Sequence, residues 1–195
     1  MLVGDIINER WKEQYKEIHG RSTGHMLGEQ VMYHVWDIQD LCLRHKPKRI
    51  LDFGCGKAYA YTDRQIHKLF NADMFFYDIG IEKYQKLPEG LEKEEIEAVI
   101  CCDVLEHIPE DFIDATLEYW YSLKPKFVFA TIAQYPATAK LADGSNAHVT
   151  VKPTAWWEEK LFKYINCPTT FVYCLKGGPM YKSVYLPGTG STEAD

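Results

Sequence analysis

Apolar residues along this chain follow two rhythms that alternate with each other. The first is a short unbroken run closed by a charge or a turn. Ile50-Leu51 ends in Asp52, Met74 to Tyr77 ends in Asp78, Ala98 to Cys102 precedes Asp103, and Lys126 to Thr131 carries FVFAT. Such runs are too short for buried helices and predict strands covered on both faces. The second rhythm has a spacing of three and four. It appears as Ile7, Trp11, Tyr15 and Ile18 within 5–19, and as Val31, Val35, Ile38 and Cys42 within 28–44. It returns as Ile113, Leu117 and Trp120 after Pro109, and as Trp157, Leu161 and Tyr164 within 154–164. Each set marks one apolar face of a helix. Pro109-Glu110-Asp111 is a helix start, with proline in the first turn and acids at the positive end.

Shorter helices are expected over 63–70 and 81–87, and polar loops over 19–25 and 133–153. Strands at 170–174 and 183–186 flank Lys176-Gly177-Gly178-Pro179, which reads as a hairpin turn. Alternating strands and helices predict an α/β fold, a mostly parallel sheet with helices on both faces and a C-terminal antiparallel hairpin. At 195 residues one structural domain is expected. Within it, residues 1–46 form an N-terminal helical cap and 47–186 the α/β body, with 187–195 a small polar tail expected to be disordered.

Composition narrows the function. A net charge of −6 with scattered lysines and arginines gives no strong nucleic-acid signal. No apolar run approaches the length of about 18 residues that marks a membrane span. The first residues, MLVGDIINERWKEQ, lack the apolar core of a secretion signal, so a cytoplasmic protein is expected. None of the six cysteines forms a Cys-x-x-Cys pair. No metal site is therefore predicted, and buried free thiols are.

The chemistry centres on RILDFGCGKA, residues 49–58, where a buried strand ends in Asp52 and opens at once into a glycine turn. A Gly-x-Gly-x-x-Gly dinucleotide loop would need a third glycine at position 59, which is Tyr59. Asp-x-Gly-x-Gly instead resembles the first motif of class I S-adenosylmethionine (SAM) dependent methyltransferases. The closing hairpin and the stretch DVLEHIPED, residues 103–111, are similar to that superfamily as well.

The resemblance implies a Rossmann-like fold, SAM as cofactor and S-adenosylhomocysteine as product. It implies a cofactor site made of Asp52, Gly54, Cys55, Gly56, Asp78, Ile79, Cys102, Asp103, Val104 and His107. Asp78 would accept the ribose hydroxyls, since a carboxylate has two acceptor oxygens and no donor. Asp52 would face the positively charged methionine end. His107 and His148 are the catalytic candidates, needed only if the acceptor must lose a proton. Tyr135, Asn146, Lys152, His19, Arg21 and His25 stand in the two polar loops as further acceptor-side candidates. Residues 79–97 leave little room for the family's third strand, so that strand is expected to be short or missing. Its adenine contacts fall to Leu87 and Leu91.

The expected activity is in-line methyl transfer to a small-molecule acceptor. DNA amine methylation is disfavoured because Asp103-Val104-Leu105-Glu106 stands where an Asp/Asn-Pro-Pro-Tyr/Phe motif belongs, and no Pro-Cys dipeptide exists for cytosine carbon-5 chemistry. Three alternatives remain: a non-catalytic SAM-binding regulator or pseudoenzyme, an RNA-directed methyltransferase, and a dinucleotide oxidoreductase. Oligomeric state is not legible in the sequence.

Overall fold

The four apolar runs become the middle of one sheet. In the computed structural model, which describes residues 9–21, 27–86, 95–178, 180–187 and 192–193, the strands are β1 (Arg49–Phe53), β2 (Asp73–Tyr77), β3 (Ala98–Cys102), β4 (Phe127–Ala133), β5 (Thr169–Cys174), β6 (Met180–Tyr185) and β7 (Thr192–Glu193). Their spatial order is β2-β1-β3-β4-β5-β6-β7. Strands β1 to β5 run parallel, whereas β6 returns antiparallel to β5 and β7 antiparallel to β6. Every residue of β3 and β4 is buried, which is why their sequences show continuous apolar runs rather than alternation.

The chain builds outward from β1 in both directions. It goes first to β2, then crosses back to place β3 on the other flank. This is the order of a dinucleotide-binding sheet lacking its outermost strand. Among the described residues no strand lies beyond β2, and the segment after it forms only the short 3-10 turn Glu82–Tyr84. The third strand expected to be short or missing thus has no counterpart among the described residues, 87–94 lying outside them. Loss of an edge strand leaves the central pairings intact, since β1 still has a partner on each side.

Helices α1 (Glu9–Arg21), α2 (Val35–His45), α3 (Tyr59–Thr62), α4 (Glu110–Ser122) and α5 (Thr154–Phe162) complete the fold. One face of the sheet offers Val99, Cys101, Val128 and Ala130 to Ile113, Leu117 and Trp120 of α4 and to Trp157 and Leu161 of α5. The other offers Ile50, Ala98, Ile100, Phe127 and Phe129 to Ile38, Leu41 and Cys42 of α2. The helical spacings in the sequence thus name the residues that fill both layers. Helix α1 departs from that scheme. Its Tyr15 and Ile18 pack on Leu141 and Ala147 of the 133–153 loop instead of on the sheet.

Local structure differs from expectation in five places. The loop expected over 19–25 is helical in its first three residues, because α1 continues to Arg21. The helix expected over 28–44 begins as a 3-10 turn, Gln30–His34, because Gly28 sits at φ +74° and cannot start an α-helix. The helix expected over 63–70 is replaced by α3 and a 3-10 turn, Ile66–Leu69, with Gln65 left-handed at φ 56° between them. That conformation breaks helical hydrogen bonding. The 81–87 helix shrinks to Glu82–Tyr84, with Leu87 outside the described residues, as are Leu91 and Ile7. Thr192–Glu193 of the expected disordered tail pairs with β6. All six cysteines are free thiols, and all but Cys174 are buried. No described helix is long and apolar enough to cross a membrane.

Candidate functional site at the sheet switch point

In a parallel sheet, ligands bind beyond the carboxyl ends of the strands where the order reverses. Here that point lies between β1 and β3, and a cavity of about 610 Å³ opens above it. Asp52 and the turn residues Gly54, Cys55 and Gly56 line it from β1, with Asp78 and Ile79 from the end of β2. Cys102, Asp103, Val104 and His107 complete the wall after β3. All ten residues of the expected cofactor site therefore line this cavity, while the adenine-side Leu87 and Leu91 lie outside the described residues.

The glycine turn is held closed by its own neighbours. Gly54 N–H and Cys55 N–H both donate to the Tyr77 carbonyl, at 2.7 and 3.1 Å, and Gly56 N–H donates to Asp78 Oδ2 at 2.8 Å. Gly54 stands at φ +86°, and a Cβ there would meet the Val104 side chain at 2.3 Å. Only glycine gives both the backbone angle and the close approach. The second oxygen of Asp78 accepts from Gly80 N–H at 2.9 Å and lies 3.4 Å from His19 Nε2. A buried carboxylate at the end of β2 thus ties the two turns together.

Asp52 is 4% exposed. Burial pushes its carboxyl up to about 7; Tyr61 beside it offsets part of that shift and Asp78 adds to it. His107 is half-buried. Burial, and then the neighbouring His148, bring its imidazole down to about 4. Its ring stands edge-on to His148 at 4.7 Å between centroids, and its backbone carbonyl accepts a hydrogen bond from Tyr15 Oη. Such a histidine is neutral at physiological pH and a feeble proton acceptor.

Glu106, next to His107 in the chain, is wholly buried. Its Oε1 accepts from Ala133 N–H at 2.6 Å. Burial, and next the adjacent Asp103 carboxyl, hold Glu106 well above the ordinary carboxylate range. Asp103 itself takes the left-handed conformation at φ 62°, uncommon for a residue with a side chain and concentrated at functional sites.

Of the acceptor-side candidates, Tyr135, His148 and His19 line the cavity. Asn146 does not: its amide clamps the loop, accepting from Ala137 N–H and His148 N–H and donating to Ala137 O. Lys152 is drawn away by an ion pair with Glu110 at 2.6 Å. The Arg21 side chain and His25 lie outside the described residues.

Three contributors escaped the sequence reading. Tyr15 reaches the cavity because α1 lies over it, and Lys176 enters from the hairpin turn. Gly28 carried a signal, as a glycine where a helix was expected. Gly28 backs the glycine turn, and a Cβ there would fall 1.9 Å from the Cys55 carbonyl oxygen. Gly28→Ala is expected to cost about 3 kcal/mol, combining a left-handed backbone with a backbone clash. Gly144→Ala shares the conformation, at φ +85°, but meets nothing within 4 Å, so it should cost only about 1 kcal/mol. Urea unfolding of the two variants separates strain from clash.

Comparison with family models, curated proteins and solved structures finds no match to this chain.

Proposed function

We propose that this protein is a SAM-dependent methyltransferase acting on a small molecule. The observation that carries the reading is how the glycine turn spends its amides. A phosphate-binding loop aims free N–H groups and a helix start at its ligand. Here the amides of Gly54, Cys55 and Gly56 are given to Tyr77 and Asp78, and the helix that follows, α3, is a single turn. The wall is acidic as well. Asp52, Asp78, Asp103 and Glu29 face the cavity, and Lys176 is the one lysine or arginine among the described residues lining it. A pyrophosphate is poorly served by such a wall, whereas a sulfonium with an α-ammonium group is well served.

When bound, the cofactor supplies a methyl group on a positively charged sulfur, which leaves as a neutral thioether. Asp78 binds the ribose edge and orients it against the glycine turn. Asp52 lies buried where a cation restores its ionised form. Val104, whose side chain packs on Gly54, limits the depth of the turn. His107 and His148 shape the acceptor side. Helix α1, through Tyr15 and His19, and the 133–153 loop exclude water from above. Alignment of this kind supplies most of the acceleration in an in-line transfer.

Calorimetry tests the reading directly. SAM and S-adenosylhomocysteine are expected to bind with micromolar or better affinity, and NAD not to bind. Binding of NAD without SAM would sink it. A second reading, a SAM-binding regulator without transferase activity, is favoured by the lack of a strand beyond β2 among the described residues. It gains if SAM binds yet no metabolite fraction drives its conversion to S-adenosylhomocysteine.

A further inference from the structure

Asp103 and Glu106 from the segment after β3 and His148 from the 133–153 loop converge, each offering a ligand atom within 4.8 Å of the others. Asp103 and His148 line the cavity and Glu106 stands behind them, wholly buried. The geometry points to a divalent-cation site, of the magnesium or manganese kind, built by these three side chains on the cavity wall.

Two carboxylates this close repel unless a proton or a cation lies between them. Glu106 Oε1 is satisfied by Ala133 N–H, yet Oε2 is buried without a hydrogen-bond partner. A buried acceptor left open costs stability and calls for an occupant. The three groups are also prepared as ligands. His148 Nδ1 lies 2.5 Å from the Tyr135 carbonyl, so it carries the proton and leaves the lone pair on Nε2. His148 N–H is anchored by Asn146 Oδ1. The Asp103 N–H donates to Thr131 Oγ1 at 2.9 Å, which fixes the left-handed strand end. Such outer hydrogen bonds orient metal ligands.

Two carboxylates and one imidazole make an oxygen-rich, mixed donor set, suited to magnesium or manganese and unlike a thiolate zinc site. A six-coordinate ion held by three protein atoms keeps positions for water or for an oxygen of the cavity's occupant. The ligand class is therefore one presenting a hydroxyl, or two adjacent hydroxyls, to a hard cation. On the methyltransferase reading this occupant is the acceptor, and the cation would acidify its hydroxyl. That last point rests on the methyltransferase reading; the cation site does not.

The test uses the 195-residue chain stripped by a chelator and titrated with Mn²⁺ alone, free ion being counted by its electron paramagnetic resonance signal. One Mn²⁺ per chain is expected, with affinity lowered at least about tenfold by Glu106→Gln, by Asp103→Asn and by His148→Ala. Circular dichroism melts establish that each variant is folded. If buried Glu106→Gln is not, Asp103→Asn and His148→Ala carry the test. Substoichiometric binding, or equal affinity in wild type and the folded variants, overturns the proposal. No adenosyl ligand is present, so failure here leaves the cofactor reading intact, and failure of SAM to bind leaves the cation site intact.

Discussion

Asp78→Ala is expected to lower SAM affinity by at least about a hundredfold, two charge-assisted hydrogen bonds to a ribose being worth about 3 kcal/mol or more. The same change also orphans the Gly56 and Gly80 N–H groups, which now donate to Asp78 at 2.8 and 2.9 Å. Each orphaned buried donor costs about 1–3 kcal/mol, so lost affinity alone does not separate a ribose contact from a loosened turn. A ligand cycle does. Wild type should bind S-adenosylhomocysteine far better than its 2′-deoxyribose analogue, and Asp78→Ala should bind the two nearly alike. Undiminished discrimination in the variant would remove Asp78 from the ribose. The double duty has a physical logic, since a carboxylate with four lone-pair sites can hold two amides and still accept hydroxyls.

The second large effect is a pH dependence of stability. Asp52 titrates near 7 in the folded protein, pushed up chiefly by burial. An unfolded aspartate titrates near about 4. Between those values the folded state keeps a proton that the unfolded chain has lost, so this group's contribution is fully present below pH of about 4. It declines as pH rises through about 7, by about 4 kcal/mol in all. Asp52→Asn keeps the shape without the titration. It should be nearly neutral at pH 4 and stabilising by up to about 4 kcal/mol at pH 8, read from urea unfolding at both. An equal effect at both pH values would mean that Asp52 is ionised throughout. The variant should also lose SAM affinity, since a destabilising buried carboxylate is retained for the cation it meets.

Much of the architecture was legible because burial on both faces leaves a local trace. The run from Ala98 to Cys102 reads as strand without any knowledge of its neighbours, and the 113/117/120 spacing names the face of α4 that meets the sheet. Where the reading failed, single residues overrode periodicity. Gln65 at φ 56° divides an apparently helical stretch, and nothing in a glutamine advertises a left-handed backbone. The cavity wall was legible for the same reason as the strands. In a parallel sheet the residues at or just after the carboxyl end of each strand lie at the ligand end, so Asp52, Asp78 and Asp103 follow from strand ends alone.

Alone, then, the sequence determined the parallel sheet, its closing hairpin, the glycine turn after β1 and the three acids at the strand ends. Each is a short-range pattern. Only the tertiary structure decided that the turn's amides are spent on Tyr77 and Asp78, that α1 lies over the cavity, and that His148 meets Asp103 and Glu106. Side-chain periodicity tells which face of an element is buried. It carries no record of which distant loop will be folded against that face, and so the chemistry built from separate segments had to wait for the fold.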